Sequence, residues 1–154
     1  MKKFTDCSEK TGKFPRPEAE KRDIFQLATA VLFQNPIQNF ALTPNNLTDV
    51  PDFEIDFLKQ VPTTWDETLF IDGYPGKYCV LARRHGDRWY VAGVNAGKEL
   101  LKLKVSLPMI AGKKATVYDD DKKRNPRMSE TVVKADGEIQ LVIQPEGGII
   151  VATR

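Results

Sequence analysis

The sequence predicts a mainly β protein, an antiparallel β-sandwich of about eight strands preceded by an N-terminal helical segment. Three observations predict it. After residue 61, apolar and polar residues alternate. Glycine, proline and aspartate separate these alternating stretches from one another. Before residue 61, apolar residues recur every three or four positions. Because the helical pattern comes first and the strand pattern later, we expect two structural units, residues 1–60 and 61–154, rather than an alternating parallel sheet.

The composition limits the classes of partner. The chain has 154 residues, 41% of them apolar, with a net charge of +2. Such a balanced charge argues against a nucleic-acid partner, and no apolar run is long enough to cross a membrane. No segment at the start resembles a signal peptide. Cys7 and Cys79 with one histidine cannot build a zinc site, and a buried free Cys79 is favoured over a disulfide.

Two helices are predicted before the strands. Residues 1–17 are polar and irregular, and a helix over residues 18–33 follows, with Ile24, Leu27 and Val31 on its apolar face. Pro36 ends it, and residues 37–42 could form a further short helical turn. A second helix is predicted over residues 52–60. Its carboxylates, Asp52, Glu54 and Asp56, are expected on a solvated face rather than in a metal site.

The strands are predicted from runs between turn residues. The central three occupy residues 65–71, 78–82 and 89–94, and further strands are predicted at residues 101–107, 114–118, 130–135, 138–144 and 149–153. Asp136-Gly137 predicts a two-residue turn that pairs the strands on either side of it. Residues 119–127 are predicted to be an exposed loop whose three aspartates are solvated.

No complete catalytic constellation is visible. The chain lacks a glycine-rich phosphate loop and a nucleophile elbow, and His85 lies at a hairpin tip, where polar residues are common. Asp66 and Glu67 are adjacent on a predicted strand, so their side chains should point to opposite faces and could not flank one glycosidic bond. We expect Asp66 instead to bond to a loop or neighbouring backbone.

The aromatic residues offer one binding hypothesis. Trp65, Tyr74, Trp89 and Tyr90 could stack on a sugar if they are exposed, although Trp89 is favoured as a core residue. Trp65 and Tyr74 are therefore the candidate carbohydrate contacts.

Two tracts carry a family resemblance. QLATAVLFQNPIQNFALTPNNL and FLKQVPTTWDETLFIDGYPGKYCVLARRHGDRWYVAGVNAG resemble the C-terminal part of glycoside hydrolase family 97, a family of α-glucosidases and α-galactosidases. The resemblance implies a parent with an N-terminal β-super-sandwich, a central (β/α)8 barrel that carries the active site and a calcium ion, and a C-terminal β-sandwich. It also implies a bacterial, periplasmic or exported enzyme of carbohydrate metabolism.

The resemblance places this chain outside the active site. The family's catalytic carboxylates and calcium ligands lie upstream, so we expect no catalytic, cofactor-binding or metal-binding residue here and no activity of the chain alone. Residues 1–60 would be the remnant of the barrel's end and a connector. We expect a structural role in support of the barrel, with a carbohydrate-binding module or a free-standing dimeric scaffold as the alternatives. The expected partners are the rest of such a barrel, an oligosaccharide, or a second copy of the chain through the face of Ile24, Leu27 and Val31, which would otherwise pack on the sandwich.

Overall fold

The computed structural model describes residues 23–40 and 50–153. Within these residues, two helices precede eight strands, which confirms the predicted fold class. The helices are α1 (Asp23–Leu32) and α2 (Asp52–Gln60), and the strands are β1 (Glu67–Tyr74), β2 (Tyr78–His85), β3 (Arg88–Asn95), β4 (Leu101–Ser106), β5 (Lys114–Asp120), β6 (Pro126–Val132), β7 (Glu138–Ile143) and β8 (Gly148–Thr153), with a 3-10 turn at Pro108–Ile110.

Some helical predictions fall outside this region. The predicted first helical turn, residues 18–22, and most of the break around residues 41–49 lie outside the described residues. The predicted turn of helix at residues 37–42 is wrong for residues 37–40, which have no regular structure. Pro36 restricts the backbone around it, and the side chain of Asn35 accepts a hydrogen bond from the backbone N–H of Ile37 at 3.1 Å instead.

The strands form a six-stranded antiparallel sheet in the order β1-β2-β3-β8-β5-β6 and a two-stranded sheet of β4 and β7. The two sheets enclose a core of apolar residues. Its fully buried members include Val80, Leu107, Leu141, Ile143 and Val151. The arrangement is sandwich-like, because the inner face of the large sheet packs against the small sheet.

The predicted hairpin across Asp136-Gly137 is wrong. Gly137 does adopt a turn conformation, with φ of +76°, and its N–H donates to the carbonyl of Lys134 at 2.9 Å. However, β6 before the turn pairs with β5, whereas β7 after it pairs with β4 in the other sheet. The turn residues correctly predicted that the chain reverses direction here. They do not determine which sheet each flanking strand joins.

The predicted exposed loop at residues 119–127 is also wrong in part. β5 continues to Asp120 and β6 begins at Pro126, so only a short connection separates them. Asp119 and Asp120 are buried at 9% and 4% exposure rather than solvated. Asp121 closes the connection, because its carboxylate accepts hydrogen bonds from the backbone N–H groups of Lys123 and Asn125.

The outer face of the six-stranded sheet is covered by the helices. A second buried cluster joins α1, α2 and this face. Among the described residues, neither helix combines the length and the apolar character needed to span a membrane.

Candidate functional site: the helix-covered face of the sheet

Helix α1 lies along β3 and β8 on the outer face of the six-stranded sheet. Ile24, Leu27 and Val31 are fully or almost fully buried there, together with Tyr90 of β3 and Ile150 of β8. The three- and four-residue spacing puts the apolar side chains of α1 on one stripe. The predicted second-copy contact through Ile24, Leu27 and Val31 is therefore wrong for this fold, because the chain's own sheet already covers that face.

The N-terminal end of α1 meets β8 at a glycine. A Cβ atom placed on Gly148 would lie 2.6 Å from the carbonyl oxygen of Ile24 and 2.8 Å from the Cα of Phe25. Real Cβ atoms do not approach backbone so closely, so any side chain at residue 148 would push the helix away. Glycine at this position allows the direct contact between the helix backbone and the strand.

The C-terminal end of α1 is held by a buried arginine on β2. The side chain of Arg83 is 2% exposed, and its Nη1 donates to the carbonyls of Val31 at 2.9 Å and Phe33 at 2.8 Å. The last carbonyls of a helix have no partner within the helix and carry partial negative charge, which a guanidinium satisfies. Burial lowers the pKa of Arg83.

Trp65 completes this arrangement. The guanidinium of Arg83 lies 5.4 Å from the ring centroid of Trp65, and the same ring meets Tyr90 edge-on at 5.4 Å. Both distances fit favourable cation–π and aromatic geometry. Trp65 is thus half-buried in packing contacts that join the connector before β1 to the sheet and, through Arg83, to the end of α1.

Helix α2 packs beside α1 and contacts β5 through aromatic side chains. The rings of Phe53 and Phe57 lie 6.1 and 5.0 Å from the ring of Tyr118 on β5. The predicted solvated carboxylate face of this helix is wrong for Glu54, which is only 4% exposed. Asp56 does face solvent, where it pairs with Lys59 at 3.2 Å. The spacing of the three carboxylates predicted one solvated face, but it could not show that Glu54 becomes buried in the folded chain.

A buried carboxylate lies near the N-terminal end of α1. Asp120 is 4% exposed, and desolvation raises its pKa from 3.8 to about 7. The charges of Asp23 and Asp119 contribute to this shift, whereas the backbone N–H of Gly148 and the charge of Arg124 oppose it. The Asp120 carboxyl is therefore largely protonated in mildly acidic solution.

The two predicted carbohydrate contacts do not lie together. Tyr74 is the last residue of β1 and is 58% exposed, with the ammonium of Lys77 4.6 Å from its ring centroid. Trp65 precedes the other end of the same strand. Seven steps of about 3.3 Å make β1 roughly 23 Å long, so the two rings lie at opposite ends of the strand. They cannot stack on one sugar ring.

Asp66, Glu67 and His85 meet at the hairpin between β2 and β3. Asp66 accepts a hydrogen bond from the backbone N–H of Gly86 at 2.7 Å, which confirms the predicted backbone contact. The prediction that Asp66 and Glu67 point apart is wrong, because both contact Arg84, at 3.6 and 3.3 Å. Asp66 lies in a bend just before β1, so the strand alternation does not apply to it. His85 contacts the carbonyl of Thr64 at 2.9 Å.

The described residues hold no group of three or more histidine, cysteine, aspartate or glutamate side chains that could bind a metal ion. Cys79 is a free, half-buried thiol whose pKa burial raises, and Cys7 lies outside the described residues. Sequence reasoning missed Arg83 and Gly148, which fix the two ends of α1. The sequence offers one indication for Arg83, since a charged residue there follows directly on an apolar strand. Nothing in the sequence distinguishes Gly148 from the adjacent Gly147.

Comparisons with known proteins agree with this architecture. Residues 64–154, more than half of the chain, match the family model described as "Glycosyl-hydrolase 97 C-terminal, oligomerisation". A retaining α-galactosidase of Bacteroides thetaiotaomicron is 30% identical over 142 residues, which is 88% of this chain and 21% of the relative. A probable retaining α-galactosidase of Streptomyces bingchenggensis is 40% identical over 88 residues, 56% of this chain and 14% of the relative.

Solved structures extend the comparison. A β-arabinopyranosidase is similar with 63% identity and a TM-score of 0.83, over 86% of this chain and 21% of that chain. A family 97 enzyme from Pseudoalteromonas sp. strain K8, in complex with panose, has 28% identity and a TM-score of 0.75 over 85% of this chain and 22% of that chain. The chain thus spans about a fifth of the length of these enzymes. The chain belongs to glycoside hydrolase family 97 and corresponds to the C-terminal portion of its members.

Proposed function

We propose that this chain is the non-catalytic C-terminal β-sandwich of a family 97 glycosidase, which supports the catalytic barrel and contributes to oligomerisation. The observation that carries the proposal is the docking of α1. This helix precedes the region matched by the family model, yet Ile24, Leu27 and Val31 are buried on the sandwich itself. A helix from the preceding part of the enzyme would in this way be fastened to the domain that follows it.

The contacts suit a permanent attachment. The helix backbone touches Gly148 at one end, and Arg83 bonds to carbonyls at the other. Buried apolar area drives such packing, while the two end contacts fix its register along the sheet. The barrel's last elements and the sandwich would then move as one body.

The parent's activity is a further part of the proposal. Two relatives are named α-galactosidases, and a solved structure with higher sequence identity is named a β-arabinopyranosidase. We therefore propose that the parent cleaves an α-galactoside or a β-arabinopyranoside rather than an α-glucoside. Calcium and export to the periplasm belong, in this proposal, to the parent enzyme and its upstream domains.

Two measurements test the proposal. The coding sequence immediately upstream of Met1 should encode a family 97 barrel in frame. The purified chain, supplied with calcium, should not hydrolyse aryl α-galactosides, α-glucosides or β-arabinopyranosides. Turnover that co-purifies with the chain and persists through successive columns would contradict the non-catalytic assignment.

Carbohydrate binding is a second candidate, and the exposed ring of Tyr74 favours it. An exposed aromatic ring can stack on a sugar, whereas Trp65 is engaged with Arg83 and Tyr90. Calorimetric titration with maltooligosaccharides and galactosides tests it. Saturable binding that Tyr74→Ala abolishes would support this candidate, and no heat at millimolar sugar would reject it.

A further inference from the structure

The tip of the β1–β2 hairpin is a rigid four-residue turn, residues 74–77. The backbone N–H of Lys77 donates to the carbonyl of Tyr74 at 2.9 Å, which closes the turn. Pro75 fixes φ at the second position, and Gly76 has a φ of +75° at the third, as a type II turn requires. The carbonyl of Lys77 also accepts a hydrogen bond from the N–H of Ala96 at 2.7 Å. The tip is therefore fastened to the residue that follows β3.

The turn presents one aromatic ring to solvent. Tyr74 is 58% exposed, and the ammonium group of Lys77 lies 4.6 Å from its ring centroid. A cation at this distance is attracted to the ring face and restricts the orientation of the ring. The residue stays more than half exposed in this arrangement, so ring surface is left for a ligand. Tyrosine provides such contact area at a low cost in conformational entropy.

A carboxylate with one available oxygen lies two residues before this ring. Oδ1 of Asp72 accepts hydrogen bonds from the backbone N–H of Gly73 at 2.8 Å and from the hydroxyl of Tyr78 at 3.2 Å. Both bonds end on the same oxygen, and Oδ2 has no partner among the residues that the structure describes. Because Asp72 is only partly buried, Oδ2 can accept a hydrogen bond from a ligand.

A β-bulge directs Asp72 to the face of the sheet on which Tyr74 lies. The register of β1 against β2 shifts just before Asp72, so Ile71 is the extra residue of the bulge. Ile71 packs against the core between the sheets, and regular alternation would turn the next side chain to the opposite face. The bulge instead lets Asp72 bond to Tyr78, which pairs with Tyr74. Two strand steps, about 7 Å, separate Asp72 from Tyr74, so one ligand can contact both.

These groups together select a class of ligand. An apolar ligand on the ring would remove water from the Asp72 carboxylate without replacing its hydrogen bonds, which is unfavourable. A negatively charged ligand would be repelled by Asp72, and a positively charged one by Lys77. A neutral ligand with both an apolar face and hydroxyl groups satisfies the ring and the carboxylate together. A pyranose ring has these properties, because its C–H groups form an apolar face and hydroxyl groups surround it.

We propose that the tip of the β1–β2 hairpin is a saccharide subsite, in which one neutral pyranose ring stacks on Tyr74 and donates a hydroxyl hydrogen bond to Oδ2 of Asp72, while Lys77 holds the tyrosine ring from its other face. The inference rests on carbohydrate binding, the second candidate function given above, and assigns the polar contact and its geometry. Galactosides are the first ligands to test, because the parent is proposed above to cleave them.

Calorimetric titration of the full chain with methyl α-galactoside and with raffinose tests this subsite. The wild-type chain should give saturable binding in the millimolar range. Tyr74→Ala should abolish it, whereas Tyr74→Phe should retain it because the ring remains. Asp72→Asn should weaken binding roughly tenfold, the effect of losing one charge-assisted hydrogen bond. Its amide oxygen can replace Oδ1, but its amide nitrogen cannot accept a hydrogen bond from the sugar.

Phe70→Ala is the matched control, because Phe70 is 68% exposed on the same strand and pairs with Leu81, away from the residues of the subsite. This variant should bind as the wild type does, and thermal unfolding should show that every variant is folded. Loss of binding in Phe70→Ala but not in Tyr74→Ala would overturn the proposal.

Two further outcomes separate this inference from the functions proposed above. Unchanged affinity in Asp72→Asn would overturn the subsite and leave carbohydrate binding by Tyr74 as a candidate. No saturable heat from either saccharide with the wild-type chain would overturn the subsite and that candidate together. Neither outcome touches the support of the barrel, which the upstream coding sequence tests.

Discussion

Gly148 lies against the backbone of Ile24, so close that a Cβ atom on residue 148 would be 2.6 Å from the Ile24 carbonyl oxygen. This contact joins a strand of the sandwich to a helix that precedes the family-matched region. The position admits no side chain while α1 remains docked.

Substitution of Gly148 should therefore loosen α1. We expect Gly148→Ala to cost about 1 to 3 kcal/mol, a typical range for overpacking, and Gly148→Val to cost more. Chemical denaturation measures the free energy of unfolding, and hydrogen exchange of the α1 amides reports local undocking. Ala96→Val, at an exposed position, is the control and should change neither. Unchanged amide protection of α1 in Gly148→Val would contradict the close contact.

Removal of the Arg83 side chain should destabilise the same interface from its other end. Arg83→Met leaves the carbonyls of Val31 and Phe33 without this donor, and we expect a loss of about 2 to 4 kcal/mol. Arg83→Lys keeps the charge but lacks the planar fork, so its loss should be intermediate. Urea unfolding measures both. Arg84→Met, which removes a partly exposed ion pair on the same strand, should cost less than about 1 kcal/mol.

Asp120 should make stability depend on pH. Desolvation raises its pKa to about 7 in the folded chain, against 3.8 ordinarily. Between these values the folded state binds more protons than the unfolded state, so stability should fall as pH rises from about 4 to about 7. The full effect is at most roughly 4 kcal/mol, at about 1.4 kcal/mol per pKa unit.

Asp120→Asn should flatten that pH dependence and be more stable than the wild type at pH 8, as measured by thermal unfolding across pH. Asp121→Asn is the matched control. Hydrogen bonds from Asn125 lower the pKa of Asp121, so its removal should leave the slope between pH 4 and 7 unchanged. An unaltered slope in Asp120→Asn would show that other groups cause it.

Trp65 and Tyr74 should respond differently to truncation. Trp65→Ala removes contacts with Tyr90 and Arg83, and we expect a loss of about 2 kcal/mol in the free energy of unfolding. Tyr74→Ala removes an exposed ring and should change stability by less than about 0.5 kcal/mol. Equal losses in the two variants would contradict a packing role that is specific to Trp65.

Local patterns were sufficient for much of the fold. The alternation at residues 101–107 predicted β4, and Gly147-Gly148 predicted the start of β8. The partners of the strands were harder. Asp136-Gly137 forms a turn, yet the strands around it join different sheets, because a turn fixes a change of direction and not the hydrogen-bonding partner.

For the residues of the candidate site, too, local contacts could be predicted from the sequence and contacts between distant segments could not. Asp66 was expected to bond to backbone, and Gly86 donates to it. Arg83, Gly148 and Asp120 were not anticipated as a set. Each depends on α1, which is far from them in the chain, and nothing within a few residues of them reports where that helix packs.

By itself, the sequence determined the class of fold, the order of helices and strands, and the tracts that resemble family 97, because these properties depend on neighbouring residues and their periodicity. Only the tertiary structure decided that α1 covers β3 and β8, that Asp119 and Asp120 are buried, and that β6 is an edge. These depend on contacts between distant segments, whose free energy is set by packing and desolvation rather than by local preference.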